Sequence, residues 1–141
     1  MKKILIIDDE EGYLNILSMS LNGLGNYDYA GDGSTAIEYV DSAIQANNPY
    51  EVVLLDLGLP GMNGIEVLEK IRQMEHDGAV SNRSKVIVIT AYQDKFLEAH
   101  EKGCDDYMCK PISFEELIGK IKEVDNDWFT KILYVYKKDI R

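Results

Sequence analysis

Val52-Val53-Leu54-Leu55 is a run of four aliphatic side chains with no polar residue among them, and it ends on one carboxylate, Asp56. So short a run without polar alternation, two of its members β-branched, reads as a strand buried on both faces. Its sheet then needs a covering layer on each side. The residues that follow, Leu57 to Gly64, are rich in Gly and Pro, and a helical pattern starts at Ile65. Asp56 therefore stands at the strand's carboxyl end, at the crevice where open α/β sheets place their ligands. A carboxylate there is a nucleophile, a metal ligand or both.

The rest of the chain repeats this arrangement. Lys3 to Ile7 is a β-branched run that finishes in Asp8-Asp9-Glu10-Glu11. Leu14, Leu17, Ser18, Leu21 and Leu24 recur at helical spacing, with Gly23 and Gly25 as the stop. Tyr27 to Ala30 allows a brief strand. Ser34 is placed to cap a helix carrying Ile37, Val40, Ala43 and Ile44, which Asn47-Asn48-Pro49 ends. Ile65, Leu68, Ile71 and Met74 form one stripe, and Glu75 to Lys85 reads as a polar loop. Val86 to Thr90 is a strand ending at a hydroxyl, and a short helix from about Lys95 to Lys102 stops at Gly103. Asp106 to Lys110 is the last strand. Ser113 then caps a helix, with Glu116 completing a capping box and Leu117, Ile118, Ile121 and Val124 facing inward. Strand and helix alternate five times. That order calls for a parallel sheet with right-handed crossovers and helices on both faces.

Length and charge narrow the function. The chain has 141 residues, and its 15 basic and 25 acidic residues leave a net charge of −10. Bare nucleic acid would repel it, and no apolar run approaches membrane-spanning length. Met1-Lys2-Lys3-Ile4 opens straight into a strand pattern rather than a signal peptide, so a cytoplasmic location is expected. Cys104 and Cys109 are the only cysteines, too few to complete a zinc set, and read as buried thiols of a reduced protein. His76 and His100 stand alone on polar stretches and read as surface residues.

Four strands end in Asp8-Asp9, Asp56, Thr90 and Lys110, and a parallel sheet gathers those ends on one edge. Carboxylates so gathered repel each other, and at least one should titrate high. A hard divalent cation relieves the repulsion, and an all-oxygen set suits Mg²⁺. Lys110 adds a point positive charge and Thr90 a hydroxyl donor. Nucleophilic carboxylate, Mg²⁺, lysine and hydroxyl are the parts phosphoryl transfer requires.

Ile4 to Glu10, Val53 to Gly64, Val88 to Ala91 and Gly103 to Pro111 together resemble the receiver domain of two-component response regulators. The resemblance spans about residues 2 to 124. It implies a flavodoxin-like, doubly wound five-stranded parallel sheet of order 2-1-3-4-5 with five helices. It implies Asp56 as phosphoacceptor, supplied by a sensor histidine kinase or a phosphotransfer protein. Asp9 and Asp56 would ligate Mg²⁺ directly, Gly58 through its backbone carbonyl and Asp8 through water. Lys110 would pair with a phosphoryl oxygen, Thr90 would move to bond another, and Tyr107 would turn inward after it. A cis peptide would precede Pro111. The surface that switches would be the fourth helix, last strand and fifth helix, read by a downstream target protein. Gly58 and Tyr92 would border the path of the hydrolytic water; Tyr92 either slows loss of the phosphoryl group or merely lies on the surface. The stretch from Thr90 to Lys110 is one or two residues shorter than the family norm.

Residues 1–124 thus read as a receiver and 125–141 as a C-terminal extension or linker. Phe114, Ile118, Ile121, Trp128, Ile132 and Val135 permit a continued helix that could pair with a second copy, while Lys131 to Tyr136 could instead be a strand. Two other classes of function compete with the phosphorylated switch, which would not be an enzyme in the ordinary sense. One is a receiver-like interaction module that works without phosphate. The other is an aspartate-nucleophile phosphatase of the haloacid-dehalogenase kind, for which the chain is short.

Overall fold

The computed structural model describes residues 2–20 and 25–122. Along the chain these form β1 (Lys2–Ile7), α1 (Glu11–Ser20), β2 (Gly25–Ala30), α2 (Gly33–Gln45), β3 (Val52–Leu55) and α3 (Gly64–Asp77). Then come β4 (Lys85–Thr90), a 3-10 turn (Gln93–Lys95) leading into α4 (Phe96–Glu101), β5 (Asp106–Cys109) and α5 (Phe114–Lys122). The five strands make one parallel sheet, as their alternation with helices calls for, in the order β2-β1-β3-β4-β5 that the resemblance implies.

Successive strand residues point to opposite faces, so each apolar run fills two cores at once. Leu5, Ile7, Val53, Leu55, Val86 and Val88 face α2, α3 and α4. Ile4, Ile6, Val52, Leu54, Ile87 and Ile89 face α1 and α5, where Leu17, Leu117 and Ile121 meet them. The register is level: Ile7 lies opposite Ala30 and Leu55, Leu55 opposite Val88, and Thr90 opposite Cys109. Ladder bonds continue one residue past the strands, from Asp8 N–H to Ala30, Asp56 N–H to Ile7 and Lys110 N–H to Thr90. Backbone bonding alone therefore aligns Asp8, Asp56 and Lys110 along one edge.

Local expectations fail where tertiary contacts intervene. β2 begins at Gly25 rather than Tyr27, so Gly25 is a strand residue and not a helix stop. A β-carbon at Gly25 would lie 2.2 Å from the Lys2 carbonyl oxygen, which explains why glycine opens this edge strand. The cap of α2 is Asp32, not Ser34: its carboxylate accepts the Thr35 N–H at 2.8 Å, and that bond holds the Asp32 pKa below the usual carboxylate range.

Helix α3 runs through Glu75 to Asp77, beyond the point where its apolar stripe ends. Glu75 is buried because its charge is matched. One oxygen takes the Arg72 guanidinium at 2.6 Å, and the other takes the N–H and hydroxyl of Ser84 at 2.6 and 2.9 Å. Arg72 also donates to the Gly103 and Ser84 carbonyls, both at 2.9 Å, and pairs with Asp105 at 2.8 Å. One guanidinium thus ties α3 to the starts of β4 and β5. Beside it, Lys120 of α5 pairs with the buried Asp106 at 3.2 Å.

The expected places of Leu21, Gly23, Leu24 and Val124, and the readings of residues 125–141, lie outside the described residues. Cys104 and Cys109 are free, the first buried and the second half-buried. His76 and His100 are exposed. Among the described residues no helix is long and apolar enough to cross a membrane.

Candidate functional site

Asp56 is held at the end of β3 by a loop that folds straight back on itself. Gly64 N–H returns to the Leu57 carbonyl at 3.0 Å, and the Asn63 side chain caps α3 by accepting from Ile65 N–H at 2.8 Å. The return is so tight that a β-carbon on Gly64 would sit 2.4 Å from Leu57 Cα and 2.7 Å from the Asp56 carbonyl oxygen. Gly64→Ala is therefore expected to cost about 1–3 kcal/mol, the usual range for overpacking. Urea denaturation checks the cost, and amide shifts centred on Asp56 and Leu57 would show the loop moving.

The carboxyl ends of β1, β3 and β5 meet around Lys110. Its ammonium lies 3.0 Å from Asp8, 3.1 Å from Asp56 and 3.4 Å from Glu10, and its side chain is only 8% exposed. The Tyr13 ring covers another side, with its centroid 4.0 Å from Nζ. Burial opposes the ammonium's charge, yet the bonds to Asp56 and Asp8 outweigh it and hold the Lys110 pKa above the ordinary lysine range. Asp8 is shifted upward as well. Burial is the main cause, ahead of repulsion by Asp56, and the Glu10 N–H (2.9 Å) and Lys110 offset it in part. One carboxyl does titrate high, for a reason the sequence does not display.

Oxygen atoms of Asp8, Asp9, Glu10 and Asp56 come within 4.8 Å of one another. Asp8 and Asp56 form a buried floor; Asp9 and Glu10 are exposed at the rim. Four carboxylates, all oxygen donors, against one ammonium leave an anionic bowl open to water. This donor set fits a hard divalent cation that keeps part of its hydration, as Mg²⁺ does. Glu10 was not among the expected site residues, although its place directly after Asp8-Asp9 brings it there. The Gly58 N–H donates to Asp56 Oδ1 at 3.1 Å.

Thr90 is fully buried at the end of β4, its hydroxyl oxygen accepting the Tyr92 N–H at 3.3 Å. Tyr107 is buried, its ring edge-to-face with Phe96 at 5.9 Å, and its hydroxyl donates to the Tyr92 carbonyl. The segment after β4 is thus tied to β5 through Tyr92. The Tyr92 ring is half-exposed and lies against Gly58, where a β-carbon would meet it at 3.0 Å. The Lys110–Pro111 peptide bond is cis.

A family profile, the response regulator receiver domain, matches residues 4–122. The chain belongs to that family. The receiver is 35% identical over 126 residues to the response regulator ArlR of Staphylococcus saprophyticus, a match covering 86% of this chain and 51% of that relative. It therefore spans about half the length of the curated relatives it matches. A CheY-like response regulator receiver domain protein from Methanospirillum hungatei aligns with a TM-score of 0.71 at 28% identity, covering 93% of this chain and 98% of the other. The response regulator TrrA of Thermotoga maritima, solved in complex with Mg²⁺-BeF, aligns at 0.70 and 31% identity, covering 86% and 97%. The receiver is thus a two-component response regulator domain, and neither the phosphatase nor the phosphate-independent alternative is favoured.

Proposed function

We propose that Asp56 accepts a phosphoryl group from the phosphohistidine of a sensor kinase or phosphotransfer protein, and that the domain acts as a switch rather than by turnover. The observation that carries this reading is the convergence of Asp8, Asp9, Asp56 and Lys110 on one edge beside a buried threonine. An Asp56 carboxylate oxygen attacks phosphorus, the donor's P–N bond breaks, and the histidine nitrogen leaves with the electron pair. Asp9, Asp56 and the Gly58 carbonyl would hold Mg²⁺ directly and Asp8 would do so through water. When bound, that ion would neutralise charge on the carboxylates and on the phosphoryl oxygens. Lys110, already at Asp56, meets one phosphoryl oxygen.

Phosphorylation replaces the single negative charge of the Asp56 carboxylate with the nearly two charges of an acyl phosphate. The Thr90 hydroxyl then has an anionic acceptor for its proton, and its turn toward that acceptor biases α4, β5 and α5 toward a second arrangement. A downstream protein, or a second copy of the chain, would read that face. We place the activity in the cytoplasm, with residues 1–124 as the receiver and 125–141 as an extension or linker.

The test is the intact mass of the protein after incubation with acetyl phosphate, with and without Mg²⁺. One added phosphoryl group, dependent on Mg²⁺, is expected; none under either condition would remove the reading. The Tyr92 ring against Gly58 screens the approach to Asp56, so Tyr92→Ala should lose the group several-fold faster. The decay of the adduct's mass after donor removal measures this, and an unchanged half-life would leave Tyr92 a surface residue.

A further inference from the structure

We propose that Tyr13 is a positioning residue for Lys110: its ring face holds the ammonium in place without competing for it, and so improves capture of an anionic phosphodonor. The inference rests on the reading of Asp56 as phosphoacceptor and adds a residue that no motif supplies.

Among the described residues, four side chains meet the Lys110 ammonium, and they differ in kind. Asp8, Asp56 and Glu10 are anions, at 3.0, 3.1 and 3.4 Å. A lysine has three N–H donors, so these three oxygens can occupy all of them. An arriving phosphoryl group must win at least one donor from a carboxylate. Tyr13, in the first turn of α1, offers its π face with the centroid 4.0 Å from Nζ. The ring attracts the cation through its quadrupole and carries no net charge to repel an incoming anion. A further carboxylate in this position would grip Lys110 as well but oppose the phosphodonor. An aliphatic side chain would leave a flexible four-carbon stem untethered whenever a carboxylate let go.

Burial strengthens the contact. The Lys110 side chain is 8% exposed and Tyr13 is half-buried over it, so the ring helps to keep water from the ammonium. Desolvated cation–π contacts are the stronger ones.

The test compares Tyr13→Phe, which keeps the π face, with Tyr13→Leu, which keeps apolar bulk alone; Tyr13→Met is a second aliphatic variant should the first fold poorly. The first readout needs no ligand. Ring current should shift the Lys110 ε-methylene protons upfield in the wild type and in Tyr13→Phe, and the shift should vanish in the aliphatic variants. The second is the Kd for beryllofluoride in the presence of Mg²⁺, with KM and kcat for acetyl phosphate alongside. Affinity should fall about tenfold in the aliphatic variants, within the range a partly desolvated cation–π contact supports, and stay near wild type in Tyr13→Phe. KM should carry most of the change and kcat little. Wild-type affinity in an aliphatic variant would overturn the proposal; so would a loss in Tyr13→Phe, which would assign the effect to the hydroxyl. If the wild type took up neither beryllofluoride nor phosphate, the phosphoacceptor reading would fail, and the Lys110 shift would still decide whether the ring holds the ammonium.

Discussion

Asp56→Asn should abolish phosphoryl uptake while leaving the fold intact. The carboxylate accepts from Gly58 N–H on Oδ1 and from Lys110 on Oδ2, each at 3.1 Å; the one amide oxygen of asparagine keeps the Gly58 bond, and its NH2 gives up the bond from Lys110. Hydrogen bonding within the loop therefore survives. What disappears is the anionic nucleophile, together with one negative charge of the cation site. Removing that charge relieves part of the repulsion with Asp8, and Lys110 keeps its pairs with Asp8 and Glu10, so little stability should be lost. Intact mass after acetyl phosphate treatment should show no adduct, and the amide spectrum should match the wild type away from the site. An adduct of wild-type extent would mean that another side chain accepts the group.

The second large effect lies at the opposite end of the sheet. Arg72→Ala would strand Glu75 and Asp105, whose side chains are 7% and 9% exposed, without their shared counter-ion. Breaking a buried ion pair from one side costs about 3–5 kcal/mol, because the remaining charge has lost both water and partner. For a domain of this size that corresponds to a drop in Tm of roughly 10 °C or more. Arg83 also reaches Asp105, at 3.0 Å, but its side chain is 56% exposed. Arg83→Ala should cost no more than about 1 kcal/mol. Urea denaturation of both variants gives the contrast. Equal losses would show that burial of the Arg72 network does not matter to stability.

The legible parts of the sequence are those whose burial needs no partner. Val52 to Leu55 and Val86 to Ile89 are apolar throughout, and only a doubly covered sheet accommodates them. Once such strands are parallel, the polar residue after each must lie on one edge, so Asp8, Asp56, Thr90 and Lys110 come together without a structure. Edge strand β2 was harder to read because Asn26, Tyr27 and Asp28 are exposed and mimic a loop. Glu75 read as loop for a related reason: a charged residue at the end of a stripe is buried only when a specific partner meets it, and Arg72, Ser84 and Asp105 converge there through tertiary structure. The contact between Tyr13 and Lys110 joins opposite ends of the chain and has no local signature. The source of the Asp8 shift is hidden likewise, since desolvation depends on what covers the group.

The chemistry at Asp56 is most directly tested by trapping the adduct at its residue. Wild-type protein is treated with acetyl phosphate and Mg²⁺, reduced with borohydride and digested, and the peptides are sequenced by mass spectrometry. Borohydride converts an aspartyl phosphate into homoserine, so the modified residue is marked permanently. Homoserine at position 56, absent without Mg²⁺, is the predicted result. Homoserine at Asp8 or Asp9, or at no position in a protein that still gains phosphate, would contradict it.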